Sequence, residues 1–239
     1  MTNIIAIDAT LESSSVTLYC NSKYYMEYNN ICNNKVDVIL SMIKKVLIRA
    51  NINLKDIHTL AYCNGPGNFT GIRITIGIAH GLTFGLNIPM IGISSLLTIA
   101  QGAYEISGIK QILVAIDAKM GELYCAKYIY TSKNQWNGKK TESLLHPSEL
   151  IKIINNLYGN WGIAGNGWFL YPSLIQQTNI TLLHTNVITP NAKDMIPIAL
   201  YNWNNGKKIT SPGKGMPNYI RNNVIQKNKR KNKNFLLKE

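Results

Sequence analysis

The stretch Gly65-Pro66-Gly67-Asn68-Phe69-Thr70-Gly71-Ile72-Arg73 decides how this chain is read. A strand-like run, Ile57 to Cys63, leads into it, and a helix-like run, Ile72 to Leu86, leaves it. Proline fixes φ and glycine reaches conformations closed to other residues, so glycines around a proline make a tight turn. Asn68 and Thr70 are natural caps for the helix that follows. Strand, glycine turn and helix together are the geometry that offers backbone N–H groups to an anion. Gly65, Gly67, Thr70 and Gly71, with Asp8, therefore form a candidate nucleotide or anion loop. The other reading is a tight strand–helix corner. A Walker A loop ends in Gly-Lys-Ser/Thr, and Gly71-Ile72-Arg73 supplies no lysine. The dinucleotide fingerprint also fails, because Gly71 comes one position late.

In the helix that follows, Gly77, Gly81 and Gly85 are spaced by four and stack on one face. Each costs about 1 kcal/mol against alanine in a helix interior. Such a stripe suits a surface that another backbone approaches, with Ile74 and Ile78 as its neighbours. Packing inside one domain and a subunit interface are both open. The rest of this helix is so apolar that burial on most sides is expected. Arg73 and His80 interrupt it, and its run is too short for a bilayer.

Upstream, Ile4-Ile5-Ala6-Ile7-Asp8 reads as a buried strand ending in an acid. Ser15–Tyr19 and Lys23–Tyr28 continue a meander. Val36, Ile39, Leu40, Ile43, Val46 and Leu47 recur at helical spacing and predict an amphipathic helix. Downstream, Ile88–Ile93 reads as a strand, and Ser94 or Ser95 caps a helix to Tyr104. Roughly a hundred residues after the first strand, Ile112-Leu113-Val114-Ala115-Ile116-Asp117-Ala118 echoes it, and Asp117 matches Asp8. The strand Glu122–Tyr130 and a helix over Pro147–Leu157 follow. Trp161–Gly167 then repeats the strand-and-glycine-turn pattern, and a helix capped by Asn191 runs to Trp203. The expected organisation is a first lobe over 1–108, a second over 109–206 and a basic tail over 207–239. Each lobe has an ordinary domain size.

The chain has 239 residues, a net charge of +13 and 46% hydrophobic content. From Lys207 onward, ten basic residues face one acid, Glu239, so the charge is concentrated in the tail. Such a tail is either a nucleic-acid contact or the drift of an Asn/Lys/Ile-rich composition. Asp8 interrupts the N-terminal apolar run, no basic residue precedes it, and neither a signal peptide nor a membrane span is expected. Cys20, Cys32, Cys63 and Cys125 are scattered and read as reduced, mostly buried thiols in a cytoplasmic protein. No HxxxH or HExxH pair exists, and no protein-bound metal is expected.

Together, Asp8 after its strand, the Gly65–Arg73 loop, Gly92-Ile93-Ser94-Ser95-Leu96, Ile116-Asp117-Ala118-Lys119-Met120-Gly121-Glu122-Leu123-Tyr124 and Tyr219-Ile220-Arg221-Asn222-Asn223 resemble the bacterial TsaB (YeaZ) family. The likeness runs from Ile4 to about Val224. It implies an α/β, actin/Hsp70-like (ASKHA) fold of two related lobes. It also implies an accessory role in forming N6-threonylcarbamoyladenosine beside the anticodon of tRNAs that read codons beginning with A. In that family a TsaD-like subunit transfers the threonylcarbamoyl group from its adenylate, a TsaE-like subunit is an ATPase, and the TsaB subunit is not the catalyst. The resemblance thus implies no catalytic residue and no cofactor of its own here, with ATP or ADP admitted only in the assembled complex. Ile74, Gly77, Ile78, Gly81 and Gly85 become the expected partner face, tRNA is met through the complex, and a homodimer of the isolated chain is left open. Two positions depart from the family. Asp8 is followed by Ala9 and then Thr10, where Asp-Thr is common, and Lys35 stands where a histidine is common. The competing class is a phosphotransferase or ATPase of the same fold, with Asp8 and Asp117 holding Mg²⁺. Its structural counterpart has both aspartates accepting backbone N–H groups in turns. A peptidase reading finds no Ser/His/Asp or metal constellation.

Overall fold

The computed structural model describes residues 2–30, 33–131, 135–176, 178, 180–207 and 209–221. Cys32, the Asn222-Asn223 pair, Val224 and the basic run beyond Arg221 lie outside the described residues.

In the first half, strands β1 (Ile4–Asp8), β2 (Ser14–Cys20) and β3 (Lys23–Asn29) form the meander, and helix α1 spans Lys35–Ala50. Strand β4 (Thr59–Cys63) enters the glycine loop, and α2 (Phe69–Leu86) leaves it. Strand β5 (Met90–Ile93) and α3 (Ser95–Ser107) complete this half. The second half carries β6 (Gln111–Asp117), β7 (Leu123–Tyr130), β8 (Trp136–Asn137), β9 (Ser143–Leu145) and α4 (Pro147–Ile154). Then come β10 (Trp161–Ala164), the short helices α5 (Gly167–Leu170) and α6 (Ser173–Gln176), β11 (Leu182–His184), α7 (Ala192–Asn204) and β12 (Ile209–Thr210).

Two six-stranded sheets result. The first has order β12-β5-β4-β1-β2-β3, with β1 antiparallel to β2 and parallel to β4. The second has β11-β10-β6-β7-β8, with β6 antiparallel to β7 and parallel to β10, and β9 on β7. The sequence echo is thus a topological one: a meander followed by parallel strands on the other side of the leading strand. This is the two-lobed actin/Hsp70-like arrangement.

The apolar runs are continuous because the leading strands are covered on both faces. Ile5 and Ile7 of β1 turn toward α1 and α2, whereas Ile4 and Ala6 turn into a central layer. Leu113 and Ala115 of β6 join an outer core containing Leu150, Trp161 and Trp168. Ile112, Val114 and Ile116 enter the same central layer as Ile4. Side chains alternate across a strand, so one apolar run serves two cores. In α1 the buried positions are Ile39, Met42, Ile43, Val46 and Leu47; Val36 and Leu40 are exposed, unlike the spacing-based expectation.

The central layer is built by an exchange of helices. Helix α3, from the first half, packs on β6, β7 and β10 of the second sheet. Helix α7, from the second half, packs on β1, β2, β4 and β5 of the first. Its start is tied there, because the Ala192 N–H donates to Ser15 Oγ at 2.9 Å. The chain then crosses back completely. Strand β12 adds to β5, and the Asn218 N–H donates to Asn64 O at 2.7 Å. Residues 1–108 and 109–206 are therefore not self-contained lobes, and residues 209–221 are not a separate tail. Packing joins what chain order divides.

Candidate partner face and interlobe cleft

Asn68 caps α2: its Oδ1 accepts the N–H groups of Thr70 at 3.0 Å and Gly71 at 3.3 Å. The Asn68 N–H donates to Thr10 O at 2.7 Å. Ser95 places its hydroxyl on Pro66 O instead of capping α3, and its N–H on Gly65 O. Most of the loop's polar groups are thus engaged by the turn after β1 and by α3. The glycines permit this. A Cβ at Gly67 would lie well inside 3.0 Å of Thr10 O, and one at Gly71 equally close to Ala9 O. Gly65 sits at φ +98°, a conformation side chains resist. Thr75 reinforces the seam, since the Ala9 N–H donates to its Oγ1 at 3.1 Å. Lys35 adds to it by donating to Ala9 O at 3.1 Å and to Leu11 O. The lysine at this departing position therefore ties α1 to the first turn.

Asp8 is wholly buried beneath this seam. Its Oδ1 accepts the Thr10 N–H at 3.0 Å and the Thr10 hydroxyl at 2.6 Å, while Oδ2 has no partner. Burial raises the pKa of its carboxyl, against the lowering effect of the Thr10 bonds. Asp117 repeats the turn, with Oδ1 accepting the Lys119 N–H at 2.8 Å, but its Oδ2 pairs with Lys119 Nζ at 2.7 Å at the protein surface. The two aspartates share a place in the topology and differ in surroundings. Among the described residues, no three His, Cys, Asp or Glu side chains stand together.

Between the lobes lies a cleft of about 400 Å³. Gly67, Asn68 and Phe69 line one side, Asp117, Lys119 and Asn166 the other, and Asn218–Arg221 close it. Of the anion-loop residues, Gly67 reaches this cleft; Gly71 and Thr70 border a neighbouring hollow beside Lys35, and Asp8 lines neither. The closing segment carries Tyr219 and Arg221 of the late motif, to which the sequence assigned no contacts. Arg221 pairs with Glu122 Oε2 at 2.5 Å, and Tyr219 stacks on Phe69 with ring centroids 6.2 Å apart. The Arg73 guanidinium lies 3.2 Å from the Phe69 ring centroid. The Phe69–Arg73 pair at i, i+4 was legible as a helical neighbour pair. The Tyr219 and Arg221 contacts needed the tertiary fold.

The glycine stripe lies on the open face of α2. Gly77, Gly81 and Gly85 are exposed, and among the described residues a Cβ on any of them would meet nothing within 4 Å. Ile74 and Ile78 are half-buried beside them, and Phe84 is 78% exposed. Burial on most sides is therefore not what α2 has. Ile72, Thr75, Ile76, Ala79 and Thr83 form one buried face and the stripe is left outside. The helix begins at Phe69, so at 18 residues it is long and apolar enough to span a membrane by length and composition, contrary to the shorter run expected. Its inner face instead packs on β4. Cys20, Cys63 and Cys125 are free and buried.

Known proteins share this architecture. The family model described as TsaD, tRNA N6-adenosine threonylcarbamoyltransferase, matches residues 32–229. The tRNA threonylcarbamoyladenosine biosynthesis protein TsaB of Escherichia coli (strain K12) is 39% identical over 224 residues, 94% of this chain and 96% of that protein. The protein of the same name from Buchnera aphidicola subsp. Schizaphis graminum is 39% identical over 208 residues, 87% of this chain and 97% of that one. The solved structure of YeaZ from Pseudomonas aeruginosa superposes with a TM-score of 0.79 at 28% identity, covering 92% of this chain and all of that one. Sequence and superposition agree, and the chain belongs to the TsaB (YeaZ) family, within the wider group of TsaD-type domains.

Proposed function

We propose that this chain is the accessory subunit of the assembly that makes N6-threonylcarbamoyladenosine in tRNA, and that it seats a TsaD-like catalytic subunit on the outer face of α2. One observation carries the reading. Gly77, Gly81 and Gly85 each cost helix stability, about 1 kcal/mol against alanine, and no neighbour among the described residues requires them. A bare backbone stripe beside Ile74 and Ile78 is suited to close approach by a second subunit's helix or strand. An isolated chain would use the same face for a homodimer, so partner and homodimer compete.

The reading assigns transfer of the threonylcarbamoyl group from its adenylate to the TsaD-like partner, and ATP hydrolysis to a TsaE-like protein. Support comes from the two aspartates: Asp8 is sealed under its turn and Asp117 is neutralised by Lys119, so neither stands ready to hold Mg²⁺. ATP or ADP enters at the assembled interface, tRNA is met through the complex, and the reaction runs in the cytoplasm. The test is co-purification with a TsaD-like protein, followed by transfer assays with each subunit alone and together. Modification only with both present is expected. A partner that ignores this chain and modifies tRNA alone would overturn the reading. Metal-dependent ATP hydrolysis by this chain alone, lost in Asp8→Asn, would establish the phosphotransferase alternative.

A further inference from the structure

A second hollow, about 390 Å³, opens between α3, α7 and the β7–β8 hairpin, within the size range of small-ligand sites. One wall is a fixed aromatic cluster. Trp136 lies 5.0 Å from the Tyr130 ring and 5.9 Å, edge-on, from Tyr104. Its indole Nε1 donates to Gln101 Oε1 at 2.7 Å, and Gln101 is itself held by donating to Glu105 Oε1 at 2.7 Å. Tyr201 of α7 supplies another ring. Its hydroxyl oxygen receives Gln135 Nε2 from the hairpin and Lys207 Nζ at 3.2 Å, so its own O–H is left to donate. Asn202 also lines the hollow. It is 4% exposed.

These features select a ligand chemistry. Rings held by neighbours and by hydrogen bonds suit stacking of a flat aromatic group. The Tyr201 hydroxyl adds a donor for a ligand's acceptor. Lys207 is the one charged residue among the described lining residues, and its ammonium lies 5.3 Å from the Tyr201 ring centroid. A quaternary ammonium ligand, the usual guest of aromatic cages, would be repelled by that cation. An anionic ligand with a flat ring would be attracted to it.

We infer that this hollow is a nucleotide site, in which a base stacks against the Trp136–Tyr201 aromatic walls and Lys207 takes the phosphate. The chemistry is shared by a free mononucleotide and by an unpaired nucleotide of RNA. The inference needs no partner subunit and stands apart from the reading of the α2 face.

The experiment titrates the full chain with adenosine 5′-monophosphate and, separately, with a single-stranded nonaribonucleotide, following the Trp136 indole N–H resonance, assigned with Trp136→Phe. Saturable binding that shifts this resonance is expected. Tyr201→Ala should weaken binding about tenfold, the scale of one lost base–aromatic stack. Lys207→Gln, at an exposed position, should weaken it several-fold and lower its salt dependence. Saturation by the mononucleotide identifies a free-nucleotide site, and saturation by the oligonucleotide alone identifies an RNA base. Binding of neither, or binding untouched by Lys207→Gln and leaving the Trp136 resonance still, overturns the inference. Should Tyr201→Ala fail to fold, the Lys207→Gln and resonance readouts decide it.

Discussion

Asp8 and Asp117 close the leading strands of the two lobes with the same turn, each accepting through Oδ1 the N–H two residues on, yet one is sealed in the core and the other is paired with Lys119 at the surface. The repeated bond is architectural. The difference follows from what covers each turn: the glycine loop and α2 press on the first, and the open cleft borders the second.

Asp8→Asn should therefore preserve the fold. The amide oxygen can keep both Thr10 bonds, and the substitution removes a carboxyl whose charged form burial disfavours. Equal or higher thermal stability at pH 8 and unchanged support of tRNA modification are expected. A well-folded variant that loses the modification tenfold or more would show that Asp8 acts in the reaction.

Glycines on the two faces of the loop–helix unit should respond in opposite ways. Gly81→Ala meets open space and should stabilise the isolated chain by up to about 1 kcal/mol while weakening the partner complex. Gly71→Ala drives a methyl against Ala9 O and should destabilise it by roughly 1–3 kcal/mol. Denaturant melts of both variants, with a pull-down for Gly81→Ala and Gly81→Leu, check this. An intact complex with Gly81→Leu would remove α2 as the partner face.

Asp194, buried near Glu105 and against Gly102, has its pKa raised to about 6 by burial, with Glu105 adding and Lys193 opposing. The folded chain then holds its proton more tightly than the unfolded chain, whose value is 3.8. Stability should fall as pH rises from about 4 to about 6, by on the order of 2–3 kcal/mol, and level off above. Asp194→Asn should flatten that slope and raise stability at pH 7.5. Identical pH profiles for the two proteins would exclude this role.

Arg221 fastens the returning segment to the second lobe through Glu122, and both side chains are mostly buried. Arg221→Ala should cost about 1–2 kcal/mol and speed amide exchange in residues 218–221, because a charged hydrogen-bond partner is removed from Glu122. Hydrogen exchange confined to that segment is the expected signature. Uniform acceleration across both sheets would mean the pair supports the whole fold.

The features legible in the amino-acid order are local and periodic. Ile4–Asp8 and Ile112–Asp117 announced equivalent strands, Asn68 and Asn191 announced helix starts, and the four-residue glycine spacing announced a bare stripe. Caps, turns and periodicity act within a few residues of chain, so they are written in neighbouring letters. Only the tertiary structure decided which surfaces meet. It set α3 on the second sheet and α7 on the first, turned the stripe of α2 outward, and buried Asp8 while exposing the turn of Asp117. It also assembled Trp136, Tyr201, Asn202 and Lys207 around one hollow. An apolar period says that a face will be buried but not against what, because burial depends on area removed from water and not on the identity of the cover.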